Sequence, residues 1–380
     1  MRLPRYWGTT ALLLPLLWTA LGPVGTESND RPASFSVSLS DPVVPEAPPR
    51  QYEVVATSDG DGSPTGYRLT FQVNVCTDGQ CRMVNITMHW DSLGFYQRLE
   101  CPIDAPLTRR EHDPFTPEDY RKLDRILKNR ESILGRLPFE ALVEQPRPGE
   151  AENIDGWSGA TPQTVADSVV EGAAFTTWTL WHWANGDIVP HLRAATKQRA
   201  TPKYIRQLLR SEDHREVYFG LQHALEQSRP DEQFVVDAFH VMENTRQVEH
   251  VSLALELVSR AMSDQHALHE RLIAASTRMT THTSRPIIEY FAAQPGLPAE
   301  TLEALSGILG ELPYFQVHRI LLLLQKQACS AKVEANIAGL LDHDDFFIAR
   351  RASEHLVKQT PSDSTRRKLD AFRDKYRDRL

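Results

Sequence analysis

The spacing of apolar positions divides this chain into a part with period two and a part with the period of a helix. Tyr67-Arg68-Leu69-Thr70-Phe71-Gln72-Val73-Asn74-Val75 alternates without interruption. Arg82 to His89 alternates again, with Val84, Ile86 and Met88 on one side. Such alternation predicts half-buried strands. Tyr52-Glu53-Val54-Val55-Ala56-Thr57 predicts a further strand ahead of the turn cluster Asp59-Gly60-Asp61-Gly62. After Phe115 the period lengthens. Thr116 is placed to cap a helix, Pro117 takes its first position, and Tyr120, Leu123, Ile126 and Leu127 form its apolar stripe. Ser132 to Val143 predicts a short helical stretch. Val165, Val169, Val170, Ala173 and Ala174 then fall at helical spacing, which predicts a helix opening at Thr161-Pro162. From about Thr201 the helical pattern continues to the end.

The helical part repeats itself. Leu208-Leu209-Arg210-Ser211-Glu212-Asp213 runs on to His223-Ala224-Leu225-Glu226-Gln227. Leu340-Leu341-Asp342-His343-Asp344-Asp345 runs on to His355-Leu356-Val357-Lys358-Gln359. The segments are equally long with matching ends, and Ile308 to Gln327 has the same length and final glutamine. Recurring helix pairs of this kind predict a short α-solenoid. The pattern resembles HEAT-type repeats, which stack to bury their apolar faces and present a surface to a partner.

Composition fits a globular chain of more than one domain. Of 380 residues, 41% are hydrophobic and 24% charged, enough for two cores. The net charge of −8 argues against a general nucleic-acid binder. Arg2 and Arg5 precede the apolar run Ala11 to Leu21, which Pro15 interrupts, and small residues follow through Thr26. Residues 1–26 therefore read as a secretory signal peptide, short for a membrane span. Retention as an uncleaved membrane anchor is the alternative. Residues 27–50 are polar and proline-rich and read as a linker. Within them, Ser34-Phe35-Ser36-Val37-Ser38-Leu39-Ser40 alternates, which predicts one short strand with Phe35, Val37 and Leu39 on its apolar face.

One short stretch carries distinctive chemistry: Asp155-Gly156-Trp157-Ser158-Gly159-Ala160-Thr161. Gly159 and Ala160 leave the backbone open to close approach, and Thr161 offers a hydroxyl. This stretch resembles the flavinylation motif of the FMN-binding domain family, whose pattern is Asp, two variable residues, Ser or Thr, Gly, Ala, Thr. Asp155, Ser158, Gly159, Ala160 and Thr161 match every fixed position. In that family a flavin transferase takes FMN from FAD and links its phosphate to the final threonine. The resemblance implies FMN on Thr161, export to where the transferase acts, and electron transfer with a redox partner. A threonine hydroxyl is a weak nucleophile that needs a base, and the motif holds no His or Lys, which suits attachment by a separate enzyme. His89-Trp90-Asp91-Ser92-Leu93-Gly94 resembles, less closely, the His-x-Glu-Thr-Pro-Gly segment of the same family, with Leu93 in place of proline. It is either a second flavin contact or a strand end and turn.

The combined reading is an α+β FMN-binding domain over residues 51–195, followed by an all-α helical-repeat domain over 200–380. No catalytic acid or base and no metal ligands are assigned. An exported interaction module without cofactor is the alternative. Trp178 and Trp181, three apart, form either a core stripe or a face for stacking on a flavin ring. His182 reads as a structural histidine, and His266, His269 and His282 read as solvated. Cys329 stands alone and reads as buried or inert.

Cys76-Thr77-Asp78-Gly79-Gln80-Cys81 lies between two alternating runs, and Asp-Gly there is a hairpin signal that places the cysteines opposite each other. In exported protein we expect a Cys76–Cys81 disulfide. Non-reducing peptide mass analysis checks it, and two free thiols would count against both the bridge and the hairpin.

Overall fold

A computed structural model describes residues 33–73, 83–109, 112–142, 163–227, 232–328 and 330–379. The signal segment, the Cys76–Cys81 turn, the Asp155–Thr161 motif and Cys329 lie outside the described residues.

The period-two segments form one antiparallel sheet whose strands follow in chain order. They are β1 (Ser34–Leu39), β2 (Arg50–Ser58), β3 (Pro64–Val73), β4 (Val84–Asp91) and β5 (Tyr96–Glu100). The register aligns Phe35, Val54, Leu69, Met88 and Leu99 in one row across the sheet. Val54, Leu69 and Met88 in that row are buried, as are Tyr67, Phe71, Ile86 and Trp90 beside it. Side chains that alternate in sequence thus share one covered face. β1 lies inside the range read as a linker. Pairing with β2 satisfies its backbone groups and buries Val37 and Leu39, so only the proline-rich residues after it remain as turns.

The covered face packs on three helices. α1 (Pro117–Lys128) begins with a capping box: Asp119 N–H donates to the Thr116 hydroxyl, and the Asp119 carboxylate accepts from Thr116 N–H. Its stripe of Leu123, Ile126 and Leu127 is buried. α2 (Ala174–Asn185) and α3 (Ile188–Arg199) complete the cover. Trp183 of α2 lies 4.5 Å from the Phe71 ring, and the Trp90 indole N–H donates to the Ala184 carbonyl at 2.8 Å. Each fully buried aliphatic or aromatic side chain in such a core stabilises it by roughly 1.5–3 kcal/mol.

The helix expected directly after Thr161 is not continuous. A 3₁₀ segment, Gln163–Ser168, is followed by a turn, and α2 starts only at Ala174. Gly172 holds a left-handed conformation at φ 69°, which breaks the run. The Thr177 hydroxyl accepts from Val170 N–H and ties the turn to α2. Val165, Val169, Val170, Ala173 and Ala174 are all buried, but through turn and core rather than along one helix. Ser132 to Val143 likewise forms only the 3₁₀ turns Ile133–Gly135 and Phe139–Leu142 within its described residues.

The remaining helices are α4 (Pro202–Leu209), α5 (His214–Glu226), α6 (Glu232–Asn244), α7 (Val248–Ala261), α8 (Gln265–Arg278) and α9 (Arg285–Ala293). They continue with α10 (Ala299–Gly307), α11 (Tyr314–Leu324), α12 (Ala331–Gly339), α13 (Phe346–Val357) and α14 (Asp363–Lys375). They stack in two rows. α4, α6, α8, α10, α12 and α14 follow one another in the first, and α5, α7, α9, α11 and α13 in the second. The sequence repeats occupy matching places. Leu208–Leu209 and Leu340–Leu341 are buried just before a turn, and Asp213 and Asp345 each cap the next second-row helix by accepting from the N–H two residues on. His223 and His355 are buried at the same point of those helices. Pro313 takes the cap position in the third copy.

Burial holds the pKa of His182, His223, His250, His269, His318 and His355 below the ordinary 6.5. The unfolded chain therefore takes up protons first as pH falls. The stability these histidines contribute is complete above pH 6.5 and is lost as pH drops from there toward their folded values. We expect the thermal midpoint to fall by on the order of 5 °C between pH 7.5 and 5.5, and His355→Gln to reduce that slope. A flat thermal profile over this range would contradict the assignment.

Candidate functional site

The flanks of the Thr161 motif are both built into the core. On one side Leu142 is fully buried, and Phe139 packs edge-on against Phe175 with ring centroids 5.0 Å apart. On the other, Val165 is buried and Lys122 Nζ donates to the Ala166 carbonyl at 3.0 Å. Asp155, Ser158, Gly159, Ala160 and Thr161 belong to residues 143–162, between these two anchors.

The aromatic residues of α2 are core. The Trp178 indole N–H donates to the Leu137 carbonyl and that of Trp181 to the Asn129 carbonyl, each at 2.9 Å. A Cβ on Gly135 would stand 2.6 Å from the Trp181 ring. These contacts settle the choice between core stripe and stacking face in favour of core. His182 Nε2 lies 3.1 Å from the Leu134 carbonyl, and burial lowers its pKa against the opposing pull of that acceptor. Neutral imidazole donating through Nε2 fits both facts.

The His89–Gly94 stretch forms the end of β4 and the turn into β5. Asp91 organises it. One carboxylate oxygen accepts from Leu93 N–H and Phe95 N–H, both at 2.9 Å, and the other accepts from the Gln97 amide at 3.1 Å. Burial raises the Asp91 pKa, and these hydrogen bonds pull it back. Gly94 sits at φ 75°, and a Cβ there would lie 3.2 Å from Val189 Cγ1. The turn meets the helices. The Tyr204 hydroxyl donates to Ser92 Oγ at 2.7 Å, the Thr196 hydroxyl donates to the Ser92 carbonyl, and Arg193 Nε donates to the Leu93 carbonyl at 3.0 Å. The turn is thus a joint between the sheet and the helical array. His89 faces the opposite way along β4, with Nε2 3.3 Å from Glu100 Oε1.

Beside this joint opens a cleft of about 670 Å³, between the turn, α3, α5 and the start of α7. Phe95 lies against it, and three guanidiniums converge on that ring. Arg215, Arg130 and Arg193 have their Cζ atoms 4.1, 4.7 and 5.6 Å from its centroid. Arg215 is paired with Asp213, and Lys197 on the cleft wall with Glu226. Burial lowers the Arg130 pKa, and repulsion from Arg193 and Arg215 adds to it. Sequence reading did not find these residues. They lie far apart in the chain, and no local pattern connects an aromatic after a turn to arginines on three other segments.

His269 is buried rather than solvated: its Nδ1 lies 3.1 Å from the Thr301 hydroxyl, and its ring packs edge-on against Phe291. His266 and His282 are exposed. Among the described residues no group of three His, Cys, Asp or Glu is placed to hold a metal ion, and no helix is long and apolar enough to cross a membrane. Comparison with known protein families, curated proteins and solved structures finds no match to this chain.

The joint predicts its own weak points. Tyr204→Phe, which removes the donor to Ser92, is expected to cost about 1 kcal/mol. Gly94→Ala, which forces a left-handed residue against Val189, is expected to cost roughly 1–3 kcal/mol. Urea denaturation measures both, and wild-type midpoints for the pair would show that the turn does not bear the junction.

Proposed function

We propose that this chain is an exported flavin carrier that holds FMN as a phosphoester on Thr161 and exchanges electrons with a separate redox partner. The observation that carries the reading is the match of Asp155, Ser158, Gly159, Ala160 and Thr161 to the flavinylation pattern, on a connection with both ends fixed in the core.

The chemistry of the residues fits the group. Thr161 supplies the hydroxyl oxygen that forms the bond to phosphorus, and AMP leaves when FAD is the donor. Gly159 and Ala160 leave the backbone open to the incoming transferase. The hydroxyl proton passes to a base of that enzyme, since the motif has none. When bound, FMN supplies one- and two-electron transfer, with the protein setting access and potential. The residues that flank the attachment segment in sequence, Leu142 and Val165, belong to the core of the sheet body, and the two-row helical array is read as a short α-solenoid similar to HEAT-type repeats. Such arrays bind partners along an extended surface.

The array also supports a second reading, an interaction module without cofactor. Tyr314, Phe315 and Phe347 are 43%, 52% and 61% exposed, and the Tyr314 and Phe347 rings meet 6.4 Å apart on neighbouring second-row helices. Exposed aromatics of this kind mark contact surfaces. The two readings separate on one preparation. Co-produced with an exported flavin transferase, the wild-type protein is expected to be yellow, to gain the mass of one FMN less one water, and to yield the flavin on the peptide containing Thr161. Thr161→Ala should be colourless and equally folded. Colourless wild-type protein, or flavin on another residue, removes the proposal.

A further inference from the structure

The cleft at the joint is built for a charged ligand, and nothing in the flavin reading uses it. Its side chains come from both halves of the molecule: Phe95 from the turn, Arg193 and Lys197 from α3, Arg215 and Tyr218 from α5. Its about 670 Å³ falls in the range of small-molecule sites. Among the residues lining it, Arg193, Lys197 and Arg215 are cations, and Glu249 alone is a carboxylate. Arg215 and Lys197 pair with Asp213 and Glu226, which leaves Arg193 as the lining Arg or Lys without an ion pair among the described residues.

The arginines are arranged for more than packing. All three guanidiniums lie within about 6 Å of one ring centre, a crowding that like charges resist. Of the three, only Arg215 makes an ion pair among the described residues, with Asp213. The Leu93 carbonyl holds Arg193 Nε, and Asp213 holds Arg215 Nε and Nη2, which fixes both guanidiniums beside Phe95 and leaves the two Nη groups of Arg193 and Nη1 of Arg215 to meet an oxyanion. Asp91, half-buried in the turn, is held there by backbone N–H groups and attracts Arg130 and Arg215 through space without pairing with either. On the opposite wall α7 begins at Gln247 without a side-chain cap, so its first N–H groups add positive potential. Tyr218 and Phe219 supply apolar surface for a flat body.

We propose that this cleft binds a small organic anion, a flat body bearing a carboxylate or phosphate group, with Arg193 and Arg215 as the clamp on the oxyanion. Because the walls come from both halves, the bound anion draws the helical array onto the sheet. It therefore stabilises the joint by linkage.

The test uses full-length protein and three probes: phenyl phosphate, benzoate and benzyl alcohol, followed by calorimetry and thermal shift. Phenyl phosphate or benzoate should bind saturably and raise the thermal midpoint, and the stronger of the two identifies the oxyanion. Benzyl alcohol, which keeps the ring and lacks the charge, should bind at least tenfold more weakly. Raising NaCl to 0.5 M should weaken the anion. Arg193→Gln and Arg215→Gln should each weaken binding about tenfold or more. Arg319→Gln, a partly exposed side chain on α11 away from the cleft, should leave it unchanged. If Arg193→Gln fails to fold, Lys197→Gln provides the reading, because Lys197 lines the cleft and its pair with Glu226 lies at the surface, so its loss should weaken the anion without unfolding the chain. All binding should persist in Thr161→Ala, which separates this proposal from the flavin one. No saturable binding of either anion, equal binding of benzyl alcohol, or undiminished affinity in the glutamine variants overturns it.

Discussion

The buried turn at Ser92 is where the two halves of the molecule depend on each other. A β-hairpin end normally keeps its polar groups in water. Here the Ser92 carbonyl and hydroxyl point into packed helices, and each finds a partner: the Thr196 hydroxyl for the first, the Tyr204 hydroxyl for the second. Thr196 is in turn within 2.6 Å of the Tyr67 hydroxyl, so a chain of hydroxyls runs from the sheet face through α3 to the turn. Each member of a buried network of this kind counts, because a polar atom left unpaired away from water costs roughly 1–3 kcal/mol. The same turn places Phe95 under its three arginines. Hinge, core and cleft thus share one set of atoms.

Much of the architecture was legible in the chain. Strand alternation marked Val84, Ile86 and Met88 as inward, and they are; Thr116-Pro117 marked the start of α1, and its capping box is formed. The repeated Leu-Leu pairs marked equivalent places just ahead of the second-row helices α5 and α13, and the repeated Asp and His marked equivalent places on them. Local signals sufficed there because each element carries its own periodicity or cap. They failed where tertiary contacts decide. Val165 to Ala174 fall at helical spacing, yet the positive φ of Gly172 ends that run, and bonds from Val170 N–H to Thr177 and from Ala173 N–H to Val170 hold the turn. His269 looked solvated because its neighbours in sequence are polar, while its neighbours in space are Thr301 and Phe291.

The candidate sites divide along the same line. The Thr161 motif is a contiguous string, recognisable without any fold. The cleft has no string at all: Phe95, Arg193, Arg215 and Gln247 line it from four separate segments. A sequence can announce a modification site recognised by another enzyme, since that enzyme reads a peptide. It cannot announce a pocket assembled from four segments.

The two-row stack has a mechanical consequence. Every hydrogen bond, ion pair or ring contact given above between the sheet body and the array falls on α3, α4 or α5. The helices from α6 to α14 are cantilevered from that root. At an interaxial spacing of about 8–10 Å, the steps from α5 to α13 amount to roughly 40 Å of lever. A rocking of about 5° at the root would then sweep the far end by roughly 3 Å, a displacement comparable to the subunit shifts that operate allosteric proteins. Whatever tightens or loosens the root at Ser92 is amplified at the tip, where Tyr314, Phe315 and Phe347 stand exposed.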